Sequence, residues 1–82
     1  MFWLSKPFSL EQIRRYFAFT ELEVTMDQNG RLVIYVIDSS LKDNAAEMLK
    51  GVIERHKLNA NPIPCDEASR LFVRNKLNAV PV

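Results

Sequence analysis

Between positions 21 and 38 the chain carries two strand-like runs on either side of Asn29-Gly30, a dipeptide whose tolerance of positive φ makes it a strong hairpin signal. The first run alternates polar and apolar residues, whereas positions 32–37 are apolar throughout. Alternation marks a strand with one wet face, and an unbroken apolar run marks a strand covered on both. A two-residue turn at Asn29-Gly30 pairs Gln28 with Arg31, Met26 with Val33, Val24 with Tyr35 and Leu22 with Ile37. In that register Leu22, Val24, Met26, Val33, Tyr35 and Ile37 form one apolar face for helices to pack on. The opposite face sets Glu21, Glu23, Thr25 and Asp27 against Asp38, Val36, Ile34 and Leu32. The Leu32, Ile34 and Val36 side chains then need a lid, supplied by the last helix, by the tail or by another molecule.

The remaining pattern is helical at both ends of the hairpin. Residues 2–4 read as a short strand, and Pro7 leads into a helix start. Ser9 and Gln12 have capping-box spacing, with Phe8 and Ile13 placed as a hydrophobic staple. Leu10, Ile13 and Phe17, with Tyr16 beside them, predict a helix over about 10–19; Phe17, Phe19 and Phe72 read as core. A second helix, capped by Ser39 or Ser40, runs to about 57 on a stripe of Leu41, Ala45, Met48, Leu49, Val52, Ile53 and His56. Gly51 inside it costs about 1 kcal/mol against alanine, which close approach to a neighbouring backbone would offset. Positions 59–64 contain two prolines and read as a rigid connector. Asp66 caps a last short helix to about 77, with Ala68, Leu71 and Phe72 on one side, and 78–82 is either a loose tail or packs along the sheet.

The expected architecture is therefore a single small α+β domain over 1–82, ordered β-α-β-β-α(α). A hairpin sheet of two or three antiparallel strands packs against two helices, with a short C-terminal helix added. A crossover through the first helix places residues 2–4 beside 32–37 and makes the all-apolar strand central.

Composition changes this picture little. The 82 residues are 48% hydrophobic and 26% charged, and eleven basic against ten acidic residues leave +1, which neither demands nor excludes a nucleic-acid partner. A lone Cys65 excludes an internal disulfide and suits a reducing, cytoplasmic compartment. The longest apolar run, 32–37, is too short to span a membrane. The apolar residues 1–4 lack a preceding basic segment and are closed by Lys6-Pro7, so they do not read as a signal peptide.

Candidate chemistry is sparse. Cys65 and His56 are the only thiol and imidazole, so a nucleophile–base pair would need both. Asp66 and Glu67 beside Cys65 oppose a thiolate, and one His with one Cys makes no metal cluster. No enzyme activity, cofactor or metal is expected. The leading reading is a small non-catalytic protein-binding module, inhibitor- or adaptor-like, that engages another protein or a second copy of itself. Its contact residues would be Trp3 as an aromatic anchor, the Leu32, Ile34 and Val36 face, and the acidic edge at Glu21 and Glu23. The alternative is nucleic-acid binding by Arg70, Arg74 and Lys76, extended by Arg55 and Lys57. The element order recurs in unrelated small α+β domains and names no function by itself.

Overall fold

The protein is described by a computed structural model covering residues 2–6 and 8–82, so readings that rest on Met1 and Pro7 lie outside the described residues. The chain is an α+β domain with elements β1 (Phe2–Leu4), α1 (Leu10–Tyr16), β2 (Leu22–Met26), β3 (Leu32–Val36), α2 (Lys42–Arg55), β4 (Pro62–Pro64), α3 (Glu67–Leu77) and β5 (Val80–Pro81). One antiparallel sheet runs in the order β2-β3-β1-β4. Both β1 and β5 lie on the side of β3 away from β2, β1 against Val33 and Ile34 and β5 against Tyr35 and Val36. The all-apolar strand is central, as expected, and the 78–82 segment packs along it, with Ala79 and Val82 buried.

The hairpin register differs from the expected one by a single residue. Leu22 pairs with Val36, Val24 with Ile34 and Met26 with Leu32. The cause is the loop. Asp27 N–H donates to the Arg31 carbonyl at 2.9 Å and Gly30 N–H to the Asp27 carbonyl at 3.1 Å, so the loop holds three residues, Gln28-Asn29-Gly30, with Gly30 left-handed at φ 78°. A type I turn followed by a left-handed residue is the usual three-residue hairpin loop. Asp27 enforces it, because its Oδ1 accepts the N–H groups of both Asn29 and Arg31 at 2.9 Å.

One step of register exchanges the two faces of a strand. The face shared by Leu32, Ile34 and Val36 with Leu22 and Val24 is consequently the main core, packed under α1 and α2 with Ile13, Phe17, Ala45, Leu49 and Val52. The expected open apolar face at Leu32, Ile34 and Val36 is thus closed; all three are buried. Ile37, expected to face Leu22, is instead 64% exposed. The opposite sheet face is covered by α3: Val33 is buried with Cys65, Val73 and Ala79, and Trp3, Tyr35 and Phe72 pack around them. The last helix is a lid, but over Val33 and Tyr35.

Helix ends follow local chemistry. Ser9 Oγ accepts the Gln12 N–H at 3.2 Å, and Asp66 Oδ1 accepts the Ser69 N–H at 2.9 Å, so α1 and α3 begin where side chains satisfy their first amides. Before α2 the cap is Asp38, not a serine: Asp38 Oδ1 accepts the Ser40 N–H at 3.0 Å and opens a 3₁₀ turn, Ser39–Leu41, that runs into the helix. The end of α2 carries a left-handed Lys57 and a Leu58 N–H bond to the Ile53 carbonyl at 2.9 Å, the Schellman arrangement.

Two readings from the sequence are corrected here. Gly51 makes no close approach, since a Cβ built on it meets nothing within 4 Å. Gly51→Ala should therefore raise stability by about 1 kcal/mol, seen as a melting temperature higher by roughly 4–8 °C in a thermal scan. The 59–64 connector also contains β4, a Pro-Ile-Pro strand paired with β1. At two of its three positions there is no amide hydrogen to offer, a composition confined to sheet edges. At the other edge the Thr20 hydroxyl accepts the Leu22 N–H at 3.2 Å, and the Val24 carbonyl accepts from Arg14 Nε at 3.4 Å.

Candidate functional site

Two open grooves and one buried polar cluster hold the features of this molecule that packing alone does not explain. The first groove lies between the α1–β2 corner and the outer side of α2. It measures about 480 Å³ and is lined by Phe19, Thr20, Glu21, Asn44, Glu47, Met48, Gly51, Val52 and Arg55. Helix α1 stops early because the chain turns at Phe17: the Thr20 N–H bonds the Phe17 carbonyl at 3.2 Å and the Thr20 hydroxyl donates to it at 2.6 Å. That turn holds Phe19 at φ 64° with its side chain wholly exposed. Phe19 is therefore not core. The helical stripe foreshadowed this, because Leu10, Ile13 and Phe17 continue to positions 20 and 21 and leave 19 off the buried face.

A bulky residue in the left-handed region is a genuine outlier and costs on the order of 1–3 kcal/mol. The ring leaves its apolar surface in water, and burial of that surface by a partner would contribute about 1.5–3 kcal/mol. Strain and exposed apolar surface meet in one side chain, at the rim of a groove whose wall includes Met48, Gly51 and Val52. The absence of a side chain at Gly51 keeps that wall open.

The second groove, of about 810 Å³, lies where α3, β5 and the start of α2 meet; Ser39, Lys42, Glu67, Arg70, Leu71, Arg74, Ala79 and Val80 line it. Of the basic residues singled out in the sequence, Arg70 and Arg74 come together here. Arg55 lines the other groove and Lys57 follows the end of α2. Lys76 is exposed on α3 outside the groove lining. The third cation of the basic groove is Lys42, which no sequence spacing ties to Arg70 and Arg74; only the fold brings it there.

The buried cluster fastens the hairpin loop to α3. Asp27 Oδ2 accepts from Arg31 Nε at 2.9 Å and from the Ser69 hydroxyl at 2.7 Å, and Arg31 Nη2 lies 3.4 Å from both Asp66 and Ser69. The Arg31 guanidinium stacks 3.7 Å above the Trp3 ring. Trp3 is thus held in this clasp, half-buried, with its Nε1 buried and without a partner among the described residues. Burial pushes the Asp27 carboxyl up, but the Arg31 and Asn29 N–H groups, the Ser69 hydroxyl and the Arg31 charge outweigh it and hold the carboxyl below its ordinary value.

No family model matches the chain, and no match was found among curated proteins or solved structures.

The remaining candidates are placed as follows. Glu21 and Glu23 are exposed at the β2 edge, and the register sets Glu23 opposite Tyr35 rather than bringing Glu21 against Asp38. Burial, with the Glu23 charge, pushes the Tyr35 hydroxyl up. Cys65 and His56 are not brought together: Cys65 is buried under α3, and the exposed His56 ring rests on Tyr16, with centroids 4.8 Å apart, beside the other sheet face. Burial pushes the Cys65 thiol up to about 12, so it is protonated at neutral pH and no thiolate nucleophile forms there. Among the described residues no group of three or more His, Cys, Asp or Glu side chains could hold a metal ion. Among the described residues no helix is long and apolar enough to cross a membrane.

Proposed function

We propose that this chain is a non-catalytic protein-binding module whose contact surface is the Phe19 corner: the exposed ring, Thr20, Glu21 and the Asn44/Glu47/Met48/Gly51/Arg55 side of α2. The observation that carries this reading is Phe19 itself, strained at φ 64° and wholly exposed. A side chain that holds a strained backbone and keeps a large apolar ring in water is most simply understood if a partner buries it, and central aromatic anchors dominate the energetics of protein interfaces. The surrounding Glu21, Glu47 and Arg55 supply a charged rim around an apolar centre. The apolar sheet face that the sequence pointed to is closed by packing, and the sheet edges are interrupted by proline on one side and by side-chain bonds on the other, so the contact moves to this corner. An adaptor or inhibitor role in a reducing, cytoplasmic setting fits the single buried and unpaired thiol.

Phe19→Gly and Phe19→Asn both suit a left-handed residue. Each is expected to match or exceed the parent in stability, by up to about 1 kcal/mol, while losing the partner. A photo-crosslinking phenylalanine analogue at position 19 should join the chain to that partner, whether another protein or a second copy, in amounts that unlabelled parent protein competes away. Identical capture by the parent and both variants, or crosslinking that excess parent does not reduce, would overturn the proposal.

A further inference from the structure

From the second groove we infer a separate binding site for an acidic, extended peptide segment of a partner protein, of the pattern acidic–aliphatic–acidic. The site shares no residue with the Phe19 corner and stands independently of it. Its cations come from two elements, Lys42 at the start of α2 and Arg70 and Arg74 on α3. Among the described residues the ion pairs within 4 Å are those of Arg31 with Asp27 and Asp66, so none of these three is held in an ion pair. Glu67 also lines the groove, which leaves three cations against one carboxylate.

Geometry selects the peptide. Arg70 and Arg74 are one helical step of four residues apart, about 6 Å along the axis. Alternate residues of an extended chain lie on one side at about 7 Å, so two carboxylates at positions i and i+2 of the ligand match the two guanidinium groups. Arginine favours such planar, paired recognition. The residue between them meets the apolar part of the lining, the half-buried Val80 and Leu71, 50% exposed, beside the arginines. An aliphatic side chain is satisfied there. Among the described residues no aromatic side chain lines the groove, so it offers no stacking platform for single-stranded bases, and three cations are few for a phosphate backbone. This chemistry favours peptide over the nucleic acid that Arg70 and Arg74 suggest by sequence alone.

Titration of the ¹⁵N-labelled chain with a Gly-Ser peptide carrying one Glu-Leu-Glu segment tests this. Amide shifts are expected at Ser39, Lys42, Arg70, Leu71, Arg74 and Val80, with affinity falling about tenfold between about 50 and 200 mM salt. Gln-Leu-Gln should not bind, and Glu-Gly-Glu should bind several-fold more weakly. Arg70→Glu/Arg74→Glu should reduce affinity about thirtyfold or more, whereas Arg70→Lys/Arg74→Lys retains binding at reduced affinity. Shifts elsewhere, absence of binding, equal binding of Gln-Leu-Gln, or tighter binding of an oligothymidine of about ten nucleotides would each overturn the inference. Comparing peptides on the parent chain keeps the test valid should the double variant fail to fold, and Phe19→Gly should leave the titration unchanged.

Discussion

Ile34→Glu is expected to yield a chain with no cooperative unfolding transition. Ile34, on the central strand β3, has no exposed surface and lies in the main core between the sheet and the helices α1 and α2. Truncating such a residue to alanine costs about 2–5 kcal/mol, and a carboxylate buried without a partner adds several more. At about 0.05–0.15 kcal/mol per residue, 82 residues give a total of roughly 4–12 kcal/mol, so the substitution consumes most or all of it. Ile37→Glu supplies the contrast: at 64% exposure it should change stability by no more than about 0.5 kcal/mol. Urea titrations followed by circular dichroism measure both. The opposite ranking, with Ile34→Glu folded and Ile37→Glu unfolded, would restore the two-residue turn and its register.

The Asp27 clasp should give the second-largest loss. Asp27→Ala strands the Ser69 hydroxyl and the Arg31 and Asn29 N–H groups that the carboxylate now satisfies, and unties the hairpin loop from α3. Removing one partner of a buried ion pair costs about 3–5 kcal/mol; Arg31, partly exposed, can rehydrate, so about 3 kcal/mol is expected. The pH dependence has a definite sign. Asp27 titrates below its ordinary value of 3.8 in the folded chain, so its stabilisation is complete above that value and is lost as pH falls through the lowered one. The parent should lose stability steeply in that acid range. Asp27→Asn, already lacking the charge, should start lower and decline less. Parallel acid limbs in the two proteins would show that the carboxylate is not the group responsible.

The fold was largely legible because its signals were local and redundant. Ser9, Asp66 and the stripe through Ala45, Leu49 and Val52 each point to one structure, and the crossover rule alone placed β1 beside β3. The register was not, and the reason is specific. A strand that is apolar at every position reads the same after a one-residue slip, so β3 could not report which face was which. The deciding information lay in Asp27-Gln28-Asn29-Gly30, where Asp at the first and Gly at the fourth position is the signature of a type I turn. The weight given to Asn29-Gly30 as a two-residue turn obscured it. The basic groove was half legible: Arg70 and Arg74 declare themselves by helical spacing, whereas Lys42 joins them only through the packing of α3 across the sheet. Phe19 was missed because aromatic residues default to the core; its phase on the helix was the available counter-evidence.

The two rims of the sheet set the terms on which this molecule meets its surroundings. One ends in a strand that is prolyl at two of three positions, and on the other the Leu22 amide and the Val24 carbonyl are engaged by Thr20 and Arg14. Two copies colliding edge to edge find no unbroken ladder to extend, which works against fibril templating. The same blunting disfavours recruitment of a passing extended segment through main-chain atoms that every protein possesses. Whatever binds here must be recognised by its own side chains, and selectivity is thereby built in at the margins of the fold.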